Sequence, residues 1–388
     1  MSSRFASTRR VSRLLLVLGL LLGGFVGGFV TPAGAYAEDV AVDPFIPPPD
    51  QTGFTSFPST RTPGPFGFDA MLWLDYGLNT LESDAFRRGD VAWVEHRLAA
   101  TLSAQLGLWG RSAVALRIPA VLVQRGTDLP SAPSLASEAI GNPSIDARVR
   151  VLGAAVRPDG SVSDGAALAV RALVMVPVGT SDAYFADDAW RTELSLITDV
   201  TAFGLGAGLA VGYRHRFSEV DLAGQSLRHQ LRAAGGLRVP FPLIALAKPG
   251  QVQESALVEL DFGTDPARFF ARATTPLEGR ISYRLGFSDY TFSLGAGAAL
   301  TKAFGVPDLR VLLGVGYSPR MHDQDADGVP DGVDQCLHLA EDRDGFEDDD
   351  GCPEPDNDQD MILDEDDRCP IDAAEPGRDD DEDGCTDP

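Results

Sequence analysis

The chain has 388 residues, with 57 acidic and 32 basic side chains and a formal charge of −25. That charge is confined: residues 321–388 hold 28 Asp and Glu against Arg343, Arg368 and Arg378, so the preceding 320 residues balance at 29 acids and 29 bases. A uniformly acidic globular protein is excluded, as are a nucleic-acid binder working through a basic face and, with one apolar run of helix-spanning length, a multi-helix membrane protein.

Residues 1–37 carry Arg4, Arg9, Arg10 and Arg13 and no acid, then an apolar run over 14–30. This is the order of a secretory signal peptide. Cleavage is expected after Ala35-Tyr36-Ala37, with Ala33-Gly34-Ala35 as the competing site; Gly23-Gly24 and Gly27-Gly28 speak against an uncleaved anchor. Residues 38–67, with Pro47-Pro48-Pro49, read as a Pro-rich extended lead-in without a core of its own.

Over 68–320 the recurring signal is period two, held over runs of nine residues or more. In one run Val94, His96, Leu98, Ala100, Leu102, Ala104, Leu106 and Leu108 alternate with Glu95, Arg97, Ala99, Thr101, Ser103 and Gln105. The next sets Val114, Leu116, Ile118, Ala120 and Leu122 against Arg117 and Arg125, and another Ile145, Ala147, Val149 and Val151 against Asp146, Arg148 and Arg150. The test places twelve strands near 70–78, 92–109, 111–125, 144–156, 166–179, 191–203, 207–217, 227–240, 255–262, 277–287, 290–302 and 309–317. The predicted fold is therefore all-β, a transmembrane antiparallel barrel of about twelve strands surrounded by outer-membrane lipid. A soluble sandwich would have shorter strands and no place for so many inward arginines. An even strand count returns the chain to its starting side, the periplasm, so the tail is expected there.

On the polar parity lie Arg97, Arg117, Arg148, Arg150, Arg171, Arg214, Arg216, Arg228, Arg232, Arg238, Arg280, Arg284 and Arg310. Facing them are Asp75, Glu95, Asp146, Glu193, Asp199, Glu259, Asp261 and Glu278, so thirteen bases meet eight acids. Two readings fit that excess: a water-filled pore preferring anions, or a barrel closed by Arg–carboxylate ladders.

The tail, 321–388, has internal order. Asp323, Asp325 and Asp327 precede Gly328, followed by Asp331, Asp334 and Cys336; Asp356, Asp358, Asp360, Asp364, Asp367 and Cys369 repeat the unit. Between and beyond them, Asp342, Asp344, Asp348 and Asp350 lead to Cys352, and Asp379, Asp381 and Asp383 lead to Cys385. Cysteine spacings of 16, 17 and 16 make a period of about 33 residues. Alternating Asp before Gly is the ligand pattern of a hard cation, here Ca²⁺, although the Glu at position twelve of an EF-hand loop is missing. These residues resemble thrombospondin type 3 repeats, calcium-wrapped and disulfide-stapled units. Leu337, Met361 and Thr386 depart from the pattern. Four cysteines permit three connectivities; the nearest pairs within each period, Cys336 with Cys352 and Cys369 with Cys385, are preferred. Without calcium the tail is expected to be disordered.

His96, His215, His229, His322 and His338 form no catalytic or metal motif, and the chain is read as no enzyme. A barrel followed by such repeats resembles bacterial members of the outer-membrane protein A superfamily, in which the repeats link the barrel to a peptidoglycan-binding domain. Only Thr386-Asp387-Pro388 follow Cys385, so that domain is expected to be lacking. The resulting expectation is an outer-membrane structural or adhesion-type protein with a periplasmic calcium-binding tail and a periplasmic or cell-wall partner. The alternative is a passive channel for small, anionic solutes with the tail as accessory.

Overall fold

A computed structural model describes residues 41, 45–64, 67–82, 92–127, 135–153, 165–180, 183–219, 221–222, 225–243, 252–287 and 289–319, and in the tail 329, 335–336, 338–342, 344–348, 350–375, 377–379 and 383–386. The expected signal peptide lies outside the described residues.

Among the described residues, twelve long strands alternate apolar and polar side chains, as the sequence requires of a wall with lipid on one face. They are β1 (Phe68–Glu82), β2 (Ala92–Leu108), β3 (Ser112–Arg125), β5 (Ser144–Leu152), β6 (Gly165–Met175), β7 (Arg191–Ala202), β8 (Leu205–Arg216), β11 (His229–Pro240), β12 (Val252–Thr264), β13 (Leu277–Phe287), β14 (Tyr290–Ala299) and β15 (Leu309–Tyr317). Three two-residue strands complete the set: β4 (Ala139–Ile140) beside β3, and the pair β9 (Asp221–Leu222) and β10 (Gln225–Ser226). Each long strand pairs antiparallel with its neighbours, and β15 closes on β1 from Ala70↔Tyr317 to Leu78↔Leu309. The result is a closed twelve-stranded barrel with no free edge.

The faces are inverted relative to a soluble protein. Leu102, Leu116, Ile118, Leu194, Leu196, Leu260, Ile281 and Leu313 are exposed, whereas Arg117, Arg148, Glu259 and Arg310 are buried inside. Apolar side chains around the whole exterior fit hydrocarbon, and Phe68, Tyr290 and Tyr317 cluster at one rim as an interfacial aromatic belt would. That rim is the tail end, since β15 leaves there. At this end the β7–β8 turn is two residues long, Phe203 and Gly204 both having positive φ, the geometry that matches strand twist, and the three-residue turn after β2 has positive φ at Trp109 and Gly110. The β5–β6 and β11–β12 connections are longer, the second against the expectation of short joints on this side.

Two bulges shift the parity expected from sequence. Across β1–β2 the pairing slips between Leu78 and Leu81, where Asn79 has φ 54°. Beyond the slip Val94, expected to face lipid, is buried, and Glu95, expected in the lumen, is exposed beside His96. Leu122 is an extra residue in β3, because Leu98 pairs with Val123 and Ala99 with Val121. Gln124 consequently turns inward and Arg125 outward, the reverse of the expectation.

Candidate functional site

The lumen is built from two ion-pair ladders. One runs Arg117–Asp146–Arg171–Glu193–Arg214 over β3 to β8: Arg117 Nη2 reaches Asp146 at 2.8 Å, Arg171 touches both acids, and Arg214 Nη2 meets Glu193 at 2.8 Å. The other runs Arg232–Asp261–Arg280–Glu278–Arg310–Asp75 over β11 to β1, with Arg232 2.8 Å and Arg280 2.9 Å from Asp261 and Arg310 3.0 Å from Glu278. Asp146, Glu193, Asp261 and Glu278 each bridge two arginines, which is how neighbouring strands can place like charges at one height without repulsion winning.

Four further arginines, Arg148, Arg150, Arg238 and Arg284, are answered by the Pro-rich segment. Expected as a lead-in, residues 45–64 instead pass through the lumen. Asp50 pairs with Arg148 at 2.7 Å, both only 1% exposed, and its carboxylate also accepts the amides of Gly53 and Ser59. Arg284, Arg238 and Arg150 donate to the carbonyls of Gly53, Thr52 and Thr60 at 2.6, 3.0 and 3.1 Å. In return, the amide and hydroxyl of Thr55 donate to Glu259 at 2.9 Å, and those of Thr60 to Asp199 at 2.7 and 2.8 Å. Phe54 and Phe57 stack and join Ile197, Ala210, Ala234 and Leu257 in an apolar cluster inside the barrel. Phe45 covers Arg280 and Arg310, 4.9 and 4.5 Å from their guanidinium carbons.

The segment spans the barrel from end to end. Ala41 N donates to Asp187 in the β6–β7 connection, at the mouth opposite the tail, while Thr62 Oγ1 reaches Gly110 O in the β2–β3 turn at the tail end. Leu81, Val94, Tyr184, Ala273 and Phe304 form an apolar cluster at that far mouth.

Of the thirteen expected lumen arginines, ten are buried, Arg232 and Arg238 are partly so, and Arg228 is exposed at the far rim just before β11. Arg228 is thus a rim residue, displaced because its strand begins at His229. Sequence reasoning missed Asp50, Asp187 and Arg191 as lumen groups. The imbalance of thirteen bases over eight acids was the available signal that further acceptors had to enter.

In the tail the two disulfides are Cys336–Cys352 and Cys369–Cys385, with Cα atoms 5.0 and 5.4 Å apart. A carboxylate two residues earlier caps each of three cysteine amides: Asp350 for Cys352, Asp367 for Cys369 and Asp383 for Cys385, at 3.0, 2.7 and 3.1 Å. Asp356, Asp358 and Asp360 bring carboxylate oxygens within 4.8 Å of one another. Burial pushes the Asp358 carboxyl up, and the charges of Asp360, Asp367 and Asp356 add to that shift. Asp356 Oδ1, Asp358 Oδ2, Asn357 Oδ1 and Asp367 Oδ2 are shielded from solvent and accept no hydrogen bond, Asp367 being 9% exposed. An all-oxygen donor set of this kind fits a hard divalent cation. Asp344 and Asp364 each accept a hydrogen bond from Asn357 beside this group, Asp342 gathers with Glu341 and Glu354 in a second carboxylate group, Asp348 accepts the Gly345 amide, and Asp379 accepts the amides of Asp383 and Gly384. Asp323, Asp325, Asp327, Asp331, Asp334 and Asp381 lie outside the described residues.

No protein-family model matches the chain, and the search of curated proteins returns no match. Similar solved structures include an outer membrane channel from Pseudomonas putida (9% identity, 67% of this chain and 97% of that one, TM-score 0.46). The NanC porin aligns at 10% identity over 65% of this chain and 98% of its own, TM-score 0.38. The translocator domain of the autotransporter NalP from Neisseria meningitidis aligns at 13% identity over 65% and 88%, TM-score 0.38.

Proposed function

We propose that the protein is a structural, adhesion-type barrel of the outer membrane, closed to free solute passage by its own N-terminal segment and bearing a calcium-binding tail in the periplasm. The observation that carries this reading is the occupied lumen: Asp50, Thr55 and Thr60 are tied to Arg148, Glu259 and Asp199 on three separate walls. The basic excess that would make an open pore anion-selective is consumed in holding that segment. The tail fits a supporting role for calcium, because Asp356, Asp358, Asp360 and Asp367 would supply oxygen ligands and relieve a repulsion that the disulfides alone do not remove. A tail ordered in this way would present a rigid acidic surface to a periplasmic or cell-wall partner.

Proteoliposome swelling tests the reading. Full-length protein should give no swelling above protein-free liposomes with small sugars, with or without millimolar calcium. Rapid swelling would return the protein to a passive channel for small anionic solutes.

A further inference from the structure

The far mouth of the barrel holds a cavity of about 630 Å³, counting the space open to solvent, that the closed-lumen reading leaves without a role. Arg191, Arg214, Arg216 and Arg228 line it, together with Asp265 and Phe304.

None of the three buried arginines has a carboxylate to itself. Arg191 and Arg216 share Asp187, which also accepts the amide of Ala41, and Arg214 shares Glu193 with Arg171. Arg216 is 4% exposed; Nη2 is satisfied by Asp187 at 2.6 Å, while Nε and Nη1 find no acceptor among the described residues. A buried guanidinium with two idle donors beside a cavity is a demand for acceptor atoms. Arg228 is fixed next to it, since the Arg216 amide donates to the Arg228 carbonyl at 2.9 Å, and its exposed guanidinium stands at the rim. Arg214 and Arg216 belong to the inward parity of β8, so a ligand reaches them from solvent at the mouth rather than from hydrocarbon.

We propose that this cavity binds a small soluble oxyanion carrying hydroxyl groups, a sugar acid or sugar phosphate. Arg216 and Arg228 engage the carboxylate or phosphate, and Asp265 accepts a hydroxyl. The site lies above the lumen segment, and binding there is independent of passage through the barrel and of calcium in the tail.

The test is calorimetry on the full-length protein in non-ionic detergent at low salt, with gluconate and glucose 6-phosphate as probes and glucose as the neutral control. Both anions should bind saturably at one site and glucose should not. Arg228→Gln, which removes an exposed side chain, should weaken binding about tenfold, the effect of losing one charge-assisted contact. Arg216→Gln should abolish binding, and Arg378→Gln, which removes the same charge from the tail, should change nothing. Failure of both anions to saturate by about 10 mM overturns the proposal, as does wild-type affinity in Arg228→Gln. The second criterion stands even if Arg216→Gln does not fold.

Discussion

Asp50 joins local chain geometry to the wall of the barrel: its carboxylate closes a turn through the Gly53 and Ser59 amides and neutralises Arg148 across the lumen. Asp50→Ala would leave Arg148 buried with its hydrogen bond to Gln105 but without its carboxylate, a change worth about 3 to 5 kcal/mol. Because the loss falls on docking of the segment rather than on the strands, the barrel should keep its heat-modifiable mobility on gels. Limited proteolysis should then cut within 45–64 in the variant and spare the wild type. Met361 makes the opposite case. It stands where the first unit has Gly328, and it adopts φ 85° while 92% exposed, a conformation that costs a side chain about 1 to 2 kcal/mol. Met361→Gly should therefore tighten calcium binding by the tail roughly tenfold, measured by titration of the full-length protein; unchanged affinity would remove this residue from the account.

At the scale of elements, β8 and β11 show why lumen glycines recur. Gly208 and Gly236 pair across the two strands, and a Cβ on either would overlap the Phe54 ring. Gly236→Leu should displace the segment at an overpacking cost of about 1 to 3 kcal/mol, visible as protease sensitivity within 45–64. The twelve strands themselves were legible, because lipid outside and ion pairs inside impose a strict period of two on every run. The parity of Val94, Glu95 and Arg125 was not, since a bulge shifts the register by one residue without leaving a mark in composition. The lumen segment was illegible for a different reason. Its hydrogen-bond partners among the lumen arginines and acids are 90 to 231 residues away in sequence, and a Pro-rich stretch with alternating polar and aromatic side chains carries no periodicity of its own. Within the tail, by contrast, the disulfide partners lie 16 residues apart and the nearest-pair expectation held.

For the whole molecule, threading fixes orientation. The segment enters β1 at the tail end after rising from the far mouth, where Ala41 is tied to Asp187. An epitope placed immediately before Ala41 and one placed after Cys385 should therefore be reached from opposite sides of the membrane; antibody labelling of intact and permeabilised cells checks this, and labelling of both from one side would contradict it. The charge of −25 takes a different meaning in this arrangement: the barrel balances its own charges down to single ladders, and the surplus resides in the tail. The central claim is that the chain closes its own lumen, and single-channel recording in planar bilayers tests it most directly. Wild-type protein should show no conductance steps, and Asp50→Ala combined with Phe54→Ala should show discrete steps as the segment leaves. Steady steps of equal size from both proteins would contradict it.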